Sequence, residues 1–305
     1  MSHTPSKLLV SFALIFGIIA ASTAAPLIKF AAEMSPLVIT AGRLLGAALI
    51  YLLIGRDALS AWRSLDSRDR RNLFYAAPFL AGHFAFWIAG FQFTDLPSAV
   101  LLLAVEPLVG AIVGARVHGE KNTRAVYITI AVAVIGLLVI TYDDLQMSWR
   151  HLFGDLLVVI GTLLIIGFFS FGKRLRPKIS FTSYMTLTYG LAGMWALVFV
   201  VITDAPVLSY SAGSYGALLV LIVVTTCIGH ALINYTLPYT RLFMVNAIVL
   251  AEPVLAISMA AAFLGQTITG SEVVGGTLVI VALFISLRDE GRRTETSPTS
   301  DRIAE

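Results

Sequence analysis

Ala104-Val105-Glu106-Pro107-Leu108-Val109-Gly110, inside the fourth long apolar run of this 305-residue chain, returns 146 residues later as Leu250-Ala251-Glu252-Pro253-Val254-Leu255-Ala256. The likeness runs on: Gly119-Glu120 stands as far beyond the first Glu-Pro as Gly265-Gln266 beyond the second, and the small pair Gly110/Gly114 maps onto Ala256/Ala260. A carboxylate at the middle of a membrane helix costs about 2.5 to 3.5 kcal/mol on insertion scales, so such residues are rare and mark functional or paired positions. One placed in each half of a duplicated sequence is the pattern of membrane transporters built from internal repeats.

Composition supports a membrane reading throughout. The chain is 58% hydrophobic and 13% charged, with a mean hydropathy of +0.87, outside the range of soluble globular domains. About 20 apolar residues cross a hydrocarbon core of roughly 30 Å, and ten such segments are expected. The first five are Leu8 to Leu27, Pro36 to Ile54, Asn72 to Gln92, Leu96 to Ala115 and Ala125 to Thr141. The second five are Leu152 to Gly172, Phe181 to Thr203, Tyr215 to Leu237, Leu242 to Leu264 and Val273 to Leu287. The expected fold is therefore all-α and integral to the membrane, with ten transmembrane helices in two halves, residues 1–141 and 142–287, and a polar, disordered tail over 288–305.

Alternating the ten segments places 18 of the 21 Lys and Arg residues on one side, leaving Lys29 and Arg150 opposite and Arg43 inside a span. The positive-inside rule makes that side, and both termini, cytoplasmic. The basic balance thus reflects topology and gives no reason to expect a nucleic-acid partner. Between Arg56 and Arg71, Leu59, Trp62 and Leu65 share one helical face among arginines, a pattern suited either to lying along lipid headgroups or to a solvated basic loop. The first segment has the basic start and small residues of a signal peptide, but it is long enough to span, and its removal would break the symmetry of the halves. A single cysteine, Cys227, leaves no intramolecular disulfide and no metal cluster to build, and no cofactor motif is present.

Five is odd, so the second half enters the membrane from the opposite side, giving two inverted five-helix repeats. With Ser35-Pro36 and Arg43 in the second segment, Glu106-Pro107 through Gly119-Glu120, and Glu252-Pro253 through Gly265-Gln266, the chain resembles the drug/metabolite transporter superfamily of EamA type. Gln266 departs from the Gly-Glu usual at that place. The resemblance implies a ten-helix bundle with both termini in the cytoplasm of a bacterial inner membrane. It also implies a central cavity lined mainly by the third, fourth, eighth and ninth helices, and export or import of small metabolites.

Within the spans, the candidate site gathers Glu106, Glu252, Gly82-His83, Gly229-His230, Arg43, Trp87, Asn234 and, toward the cytoplasmic vestibule, Asn246. His83 and Trp87 are four residues apart, as are His230 and Asn234, so each pair shares a helical face. The two Gly-His pairs are 147 apart rather than 146, which implies a small insertion or deletion between these helices and the Glu-Pro pairs. Pro107 and Pro253 cannot donate to the carbonyls of Leu103 and Val249, so each glutamate is expected beside a kink with a freed acceptor. Two roles fit these residues. Either the glutamates and histidines form a titratable midplane site that couples protons or another ion to substrate, or Arg43 pairs with one glutamate and the others bond to backbone at the kinks. Tyr184 and Tyr189 are read as packing residues. Gly42/Gly46 and Gly110/Gly114 suit close helix contact, within a monomer or across a homodimer.

The motifs that are missing narrow the function. No G-x-x-x-x-G-K-[ST] loop is present, so this chain alone does not drive transport with ATP, and no H-E-x-x-H occurs. Tyr142-Asp143 and Gly154-Asp155 fall within one short outer loop rather than on two spans, against an intramembrane aspartyl protease. The expectation is a carrier and not an enzyme, with a passive channel or a non-transporting scaffold as the rival class.

Overall fold

The computed structural model describes residues 5–94, 99, 101–142, 148–264 and 267–295. Asp143-Asp144, Gly265-Gln266, residues 296–305 and part of the fourth expected span lie outside them. The described residues form helices joined by short connections, as a bilayer demands: with no water in the hydrocarbon core, each backbone N–H and C=O must be satisfied inside the protein. Nine helical segments among the described residues are long and apolar enough to cross. The one remaining expected span, the fourth, Leu96 to Ala115, is described from its middle onward and there forms the helix Val105–His118.

The packing of the spans carries the inverted symmetry. The third span, Ser67–Gly90, packs along the sixth, Trp149–Leu175, and the first, Lys7–Phe30, along the eighth, Ala212–Thr236. The second, Pro36–Ile54, meets the seventh, Phe181–Ile202; the fifth, Arg124–Thr141, meets the tenth; the fourth meets the ninth. Exchanging each span for the one five places on returns the same set of neighbours. The chain is a multi-pass membrane protein of two inverted repeats.

The small-residue pairs serve contacts inside the chain. Gly42 faces Leu218 and Gly46 faces Ile222, while Gly110 lies so close to Asn246 that a Cβ would stand 2.8 Å from its Nδ2.

At the end of the bundle richest in basic residues, Gly119 closes the helix Val105–His118 in the left-handed conformation, φ 67°, where a side chain would be strained. That turn sends Glu120 to the start of the ninth span. Its carboxylate accepts from the Leu242 N–H at 2.9 and 3.1 Å and pairs with Lys173 at 2.9 Å. Arg241, just before that helix, pairs with Asp289 at 2.7 Å and with Glu290. Both carboxylates belong to the tenth span, Gly270–Glu295. The helix therefore continues well into the stretch expected to be disordered, because its polar residues there have a buried cation to meet. Arg68, Arg70 and Arg71 likewise lie within the third helix rather than in a loop. Leu65 is buried against the core while Leu59 stays exposed, so the short helix Ala58–Ser64 splits its apolar face between protein and surroundings.

At the opposite end, Glu33 accepts from the Ser211 N–H and the Ser214 hydroxyl, each at 2.7 Å. These bonds, led by the backbone donor, hold its carboxyl below the usual carboxylate range. A depressed pKa contributes stability above the unfolded-state value and loses it as pH falls through the folded one. Lowering the pH below about 4.5 should thus destabilise the wild type more steeply than Glu33→Gln, and parallel unfolding curves would refute the linkage. At the basic end, Glu120→Ala removes a helix cap and leaves Lys173 without its carboxylate; a loss of about 2 kcal/mol is expected in detergent unfolding, and less for Glu120→Gln, which retains an acceptor.

Candidate functional site

Inside the bundle a small cavity of about 30 Å³ is partly open to the exterior, and its walls repeat the sequence duplication. Phe84 and His230, Trp87 and Ile233, Leu103 and Val249, and Glu106 and Glu252 all line it, each pair 146 residues apart. Ala21, Ala24, Ile165 and Phe169 of the first and sixth spans complete most of the remaining wall. The two halves thus supply matched positions around one space, and two of its four matched pairs differ in chemistry: phenylalanine faces histidine, and tryptophan faces isoleucine.

Each glutamate stands where a helix starts again. Before Glu106 the backbone turns at Leu103–Ala104, and the Glu106 N–H donates to the Leu103 carbonyl at 3.0 Å. Before Glu252 a single 3₁₀ turn, Ile248–Leu250, intervenes, and the Ala251 N–H donates to the Val249 carbonyl. The freed acceptors expected from the prolines are therefore occupied by backbone. Pro107 and Pro253 are the third residues of the helices Val105–His118 and Ala251–Leu264, positions whose N–H would have no intrahelical partner anyway. The prolines begin half-helices instead of kinking continuous ones. A carboxylate in the first turn of a helix meets the positive end of its peptide dipoles, an interaction of about 0.3 to 1 kcal/mol at exposed sites and up to about 2 when partly buried. Glu106 is 3% exposed with Oε2 unpartnered; Glu252 is half-buried.

His83 lies 2.9 Å, through Nδ1, from the Gly161 carbonyl of the sixth span. A carbonyl only accepts, so Nδ1 carries the proton and Nε2 is the exchangeable nitrogen. Its ring stacks near Trp87 at 6.4 Å and lies 6.3 Å from the ring of His230. His230 packs edge-on against Phe84 at 5.0 Å with Nδ1 unpartnered.

Arg43 is wholly buried but reaches neither glutamate. Among the described residues no ion pair joins them; Nε donates to Thr226 Oγ1 at 3.1 Å, and the guanidinium lies 4.2 Å from the centroid of Phe84. Phe84 stands between this cation and the cavity it helps to line. Nη1 and Nη2 have no hydrogen-bond partner. The Arg43–glutamate pair entertained from sequence is absent because a hydroxyl and an aromatic face, the latter worth about 2 kcal/mol to a desolvated cation, occupy the guanidinium.

The asparagines fall outside the cavity wall. Asn234 donates to the His230 carbonyl at 2.8 Å, and Asn246 to that of Leu242 at 2.7 Å, wedged against Gly110 where the fourth and ninth spans cross. Tyr184 and Tyr189 are fully buried packing residues, and Tyr189 reaches the Thr226 carbonyl at 3.5 Å. Sequence reading missed Phe84, Phe169, Leu103 and Val249, apolar residues indistinguishable from core. Applying the 146-residue interval to every position of the third and fourth spans would have found three of them.

Inverted five-helix halves around a shared cavity, with helices broken at its edge, define an integral-membrane transporter of repeat-built architecture. The chain belongs to the EamA-like transporter family, whose model matches residues 8–142 and 148–288. Among curated relatives, it is 25% identical over 256 residues to a probable amino-acid metabolite efflux pump of Salmonella typhimurium, covering 80% of this chain and 85% of that one. An uncharacterized transporter of Archaeoglobus fulgidus is 24% identical over 249 residues, covering 81% and 88%. A crystal structure at 14% identity superposes with a TM-score of 0.79, covering 95% of this chain and all of the other, and shows the same fold.

Membership of the cavity wall is directly measurable. On a Cys227→Ser background, Leu103→Cys and Ile233→Cys should react with a small water-soluble thiol reagent, while Asn234→Cys and Asn246→Cys should stay unmodified; the reverse pattern would displace the cavity.

Proposed function

We propose that this protein is a secondary active transporter, working by alternating access, that exports small metabolites such as amino acids or related organic solutes with proton coupling. The observation that carries this reading is the pair Glu106 and Glu252, each in the first turn of a half-helix on the wall of one cavity. In repeat-built transporters such broken helices present polar groups to substrate and coupling ion at the pivot of the two halves. With both glutamates ionised and Arg43 charged, the three groups sum to minus one, which a proton or the ammonium of a substrate balances. Phe84, Trp87 and Phe169 give that substrate's carbon skeleton an apolar wall.

In this reading Glu106, Glu252, His83, His230 and Trp87 contact substrate or proton, whereas Arg43, Asn234 and Asn246 support them from behind. Residues 1–141 and 142–287 act as the two moving repeats. The distribution of Lys and Arg supports cytoplasmic termini, and the Salmonella relative supports both a bacterial inner membrane and an amino-acid-like substrate.

The test is uptake and counterflow in sealed proteoliposomes with a panel of labelled amino acids and amines. Saturable flux that follows an imposed pH gradient is expected, and unsaturable conductance would make the protein a channel. Glu106→Gln and Glu252→Gln should each lower gradient-driven flux about fivefold or more while the protein still reaches the membrane, the effect of losing a coupling free energy of about 1 kcal/mol. Wild-type coupling in both variants would remove the glutamates from the mechanism. His83→Ala and His230→Ala should each shift the pH profile of transport; an unchanged profile would make them packing residues.

A further inference from the structure

The two halves differ by one residue inside a helix. At their N-caps, Asp66 and Ser211, the third and eighth spans are 145 residues apart; at their C-caps, Phe91 and Leu237, they are 146 apart. The eighth span accordingly has 25 residues where the third has 24. The surplus is absorbed at Leu221–His230, which is a π-helix: a hydrogen bond from i to i+5 encloses one residue more per turn than the α pattern. Such segments are rare and concentrate at functional sites. The Gly-His spacing of 147 is therefore not a repeat equivalence: the offset between these helices is 145 before the π turn and 146 after it, and His230 matches Phe84 rather than His83.

The insertion decides which side chain meets the cavity. Counted from the N-caps, the counterpart of Phe84 is Gly229; counted from the C-caps it is His230, and His230 is the residue found against Phe84 on the cavity wall. An all-α eighth helix of the same sequence, held at its N-terminal end, would turn by about 100° from the insertion onward and present Gly229 there instead. Polar contacts from three other spans and from its own residues hold the wider turn. Thr226 Oγ1 donates to the Leu221 carbonyl five residues back at 2.8 Å, and Arg43 Nε donates to that same Oγ1. Tyr51 donates to the Cys227 carbonyl at 2.6 Å, and Thr23, at the break in the first span, meets Thr225 at 2.9 Å.

We infer that Arg43 and Thr226 are positioning residues for His230: they clamp the π turn that delivers this histidine, rather than Gly229, to the cavity. Arg43 fits this work because one side chain joins the two elements: its guanidinium stacks on Phe84, the ring His230 packs against, while its Nε holds Thr226 inside the π turn. The inference gives Arg43 a job that needs no contact with substrate. It rests on the cavity being the transport site for its functional consequence, but the helical register can be read without transport.

The experiment uses His230→Cys on a Cys227→Ser background, labelled with a small water-soluble thiol reagent in proteoliposomes. Thr226→Val, which keeps the shape and loses the hydroxyl, should slow labelling on the order of tenfold as the thiol leaves the water-filled cavity, and Thr226→Ser should label like the parent. Deleting Val223, between Leu221 and Thr226, restores an all-α helix with residue 230 still facing the cavity, so it should rescue labelling in the Thr226→Val protein. Arg43→Gln repeats the test should Thr226→Val fail to accumulate. Unchanged labelling in Thr226→Val and Arg43→Gln, or no rescue by the deletion, overturns the inference. With His230 intact, Thr226→Val should shift the pH profile of transport as His230→Ala does. Normal register with absent transport would count against the proposed function alone, and slowed labelling with an unaltered pH profile would refute the functional part of the inference.

Discussion

A bilayer interior offers no water to a backbone N–H or C=O, and this constraint governs where the chain is allowed to depart from the α-helix. Departures in four spans border the cavity. The first span breaks at Ser22–Thr23, between Ala21 and Ala24, with its hydroxyls bonded to the carbonyls of Ile18 and Ala20. The fourth turns at Leu103–Ala104, the ninth tightens at Ile248–Leu250, and the eighth widens at Leu221–His230. In each case protein groups take up the backbone hydrogen bonds that an uninterrupted helix would have made. Irregular backbone is confined to the place where polar side chains are needed, and the lipid-facing surface remains helical and apolar.

The same constraint explains the division of labour among the polar residues. Several buried groups are bonded to backbone: His83, on the cavity wall, lies against the Gly161 carbonyl, and beyond the wall Asn234 donates to that of His230 and Asn246 to that of Leu242. Among the buried atoms left unpartnered, Glu106 Oε2, His230 Nδ1 and the two terminal nitrogens of Arg43 lie around Phe84 and the cavity, while others, the amide oxygens of Asn234 and Asn246 among them, lie beyond its wall. Leaving buried polar atoms unsatisfied costs about 1 to 3 kcal/mol each, more when charged. A fold that carries several of them in one place holds them there at the expense of its own stability.

Much of this architecture was legible in the sequence because membrane insertion writes a coarse signal: long apolar runs, charge on one side, and a costly carboxylate repeated in each half. The Glu-Pro interval led to the cavity, and His83, His230 and Trp87 on its wall came with it, while Phe84 and Phe169 did not. Details set by hydrogen-bond geometry stayed hidden. A proline looks the same in sequence whether it kinks a helix or starts one, and the difference lies in whether Leu103 and Val249 find another donor. Arg43 offered no hint that it would prefer Thr226 and the ring of Phe84 to a carboxylate, since that choice depends on which groups a second helix brings within reach. The single extra residue of the eighth span stayed hidden too: the 147-residue spacing of the Gly-His pairs sets His83 against a residue that the fold places opposite Phe84, and only the caps of the helices located the insertion.

That extra residue also bears on how the two halves came to share one chain. A symmetric dimer of the first half would surround its cavity with two phenylalanines at the position of Phe84, and a dimer of the second half with two histidines at that of His230. Neither homodimer could assemble the mixed wall or supply Arg43 to clamp a wider turn in its partner. Once the insertion had entered one copy, the halves ceased to be interchangeable parts. Covalent fusion then guarantees that every cavity receives one of each.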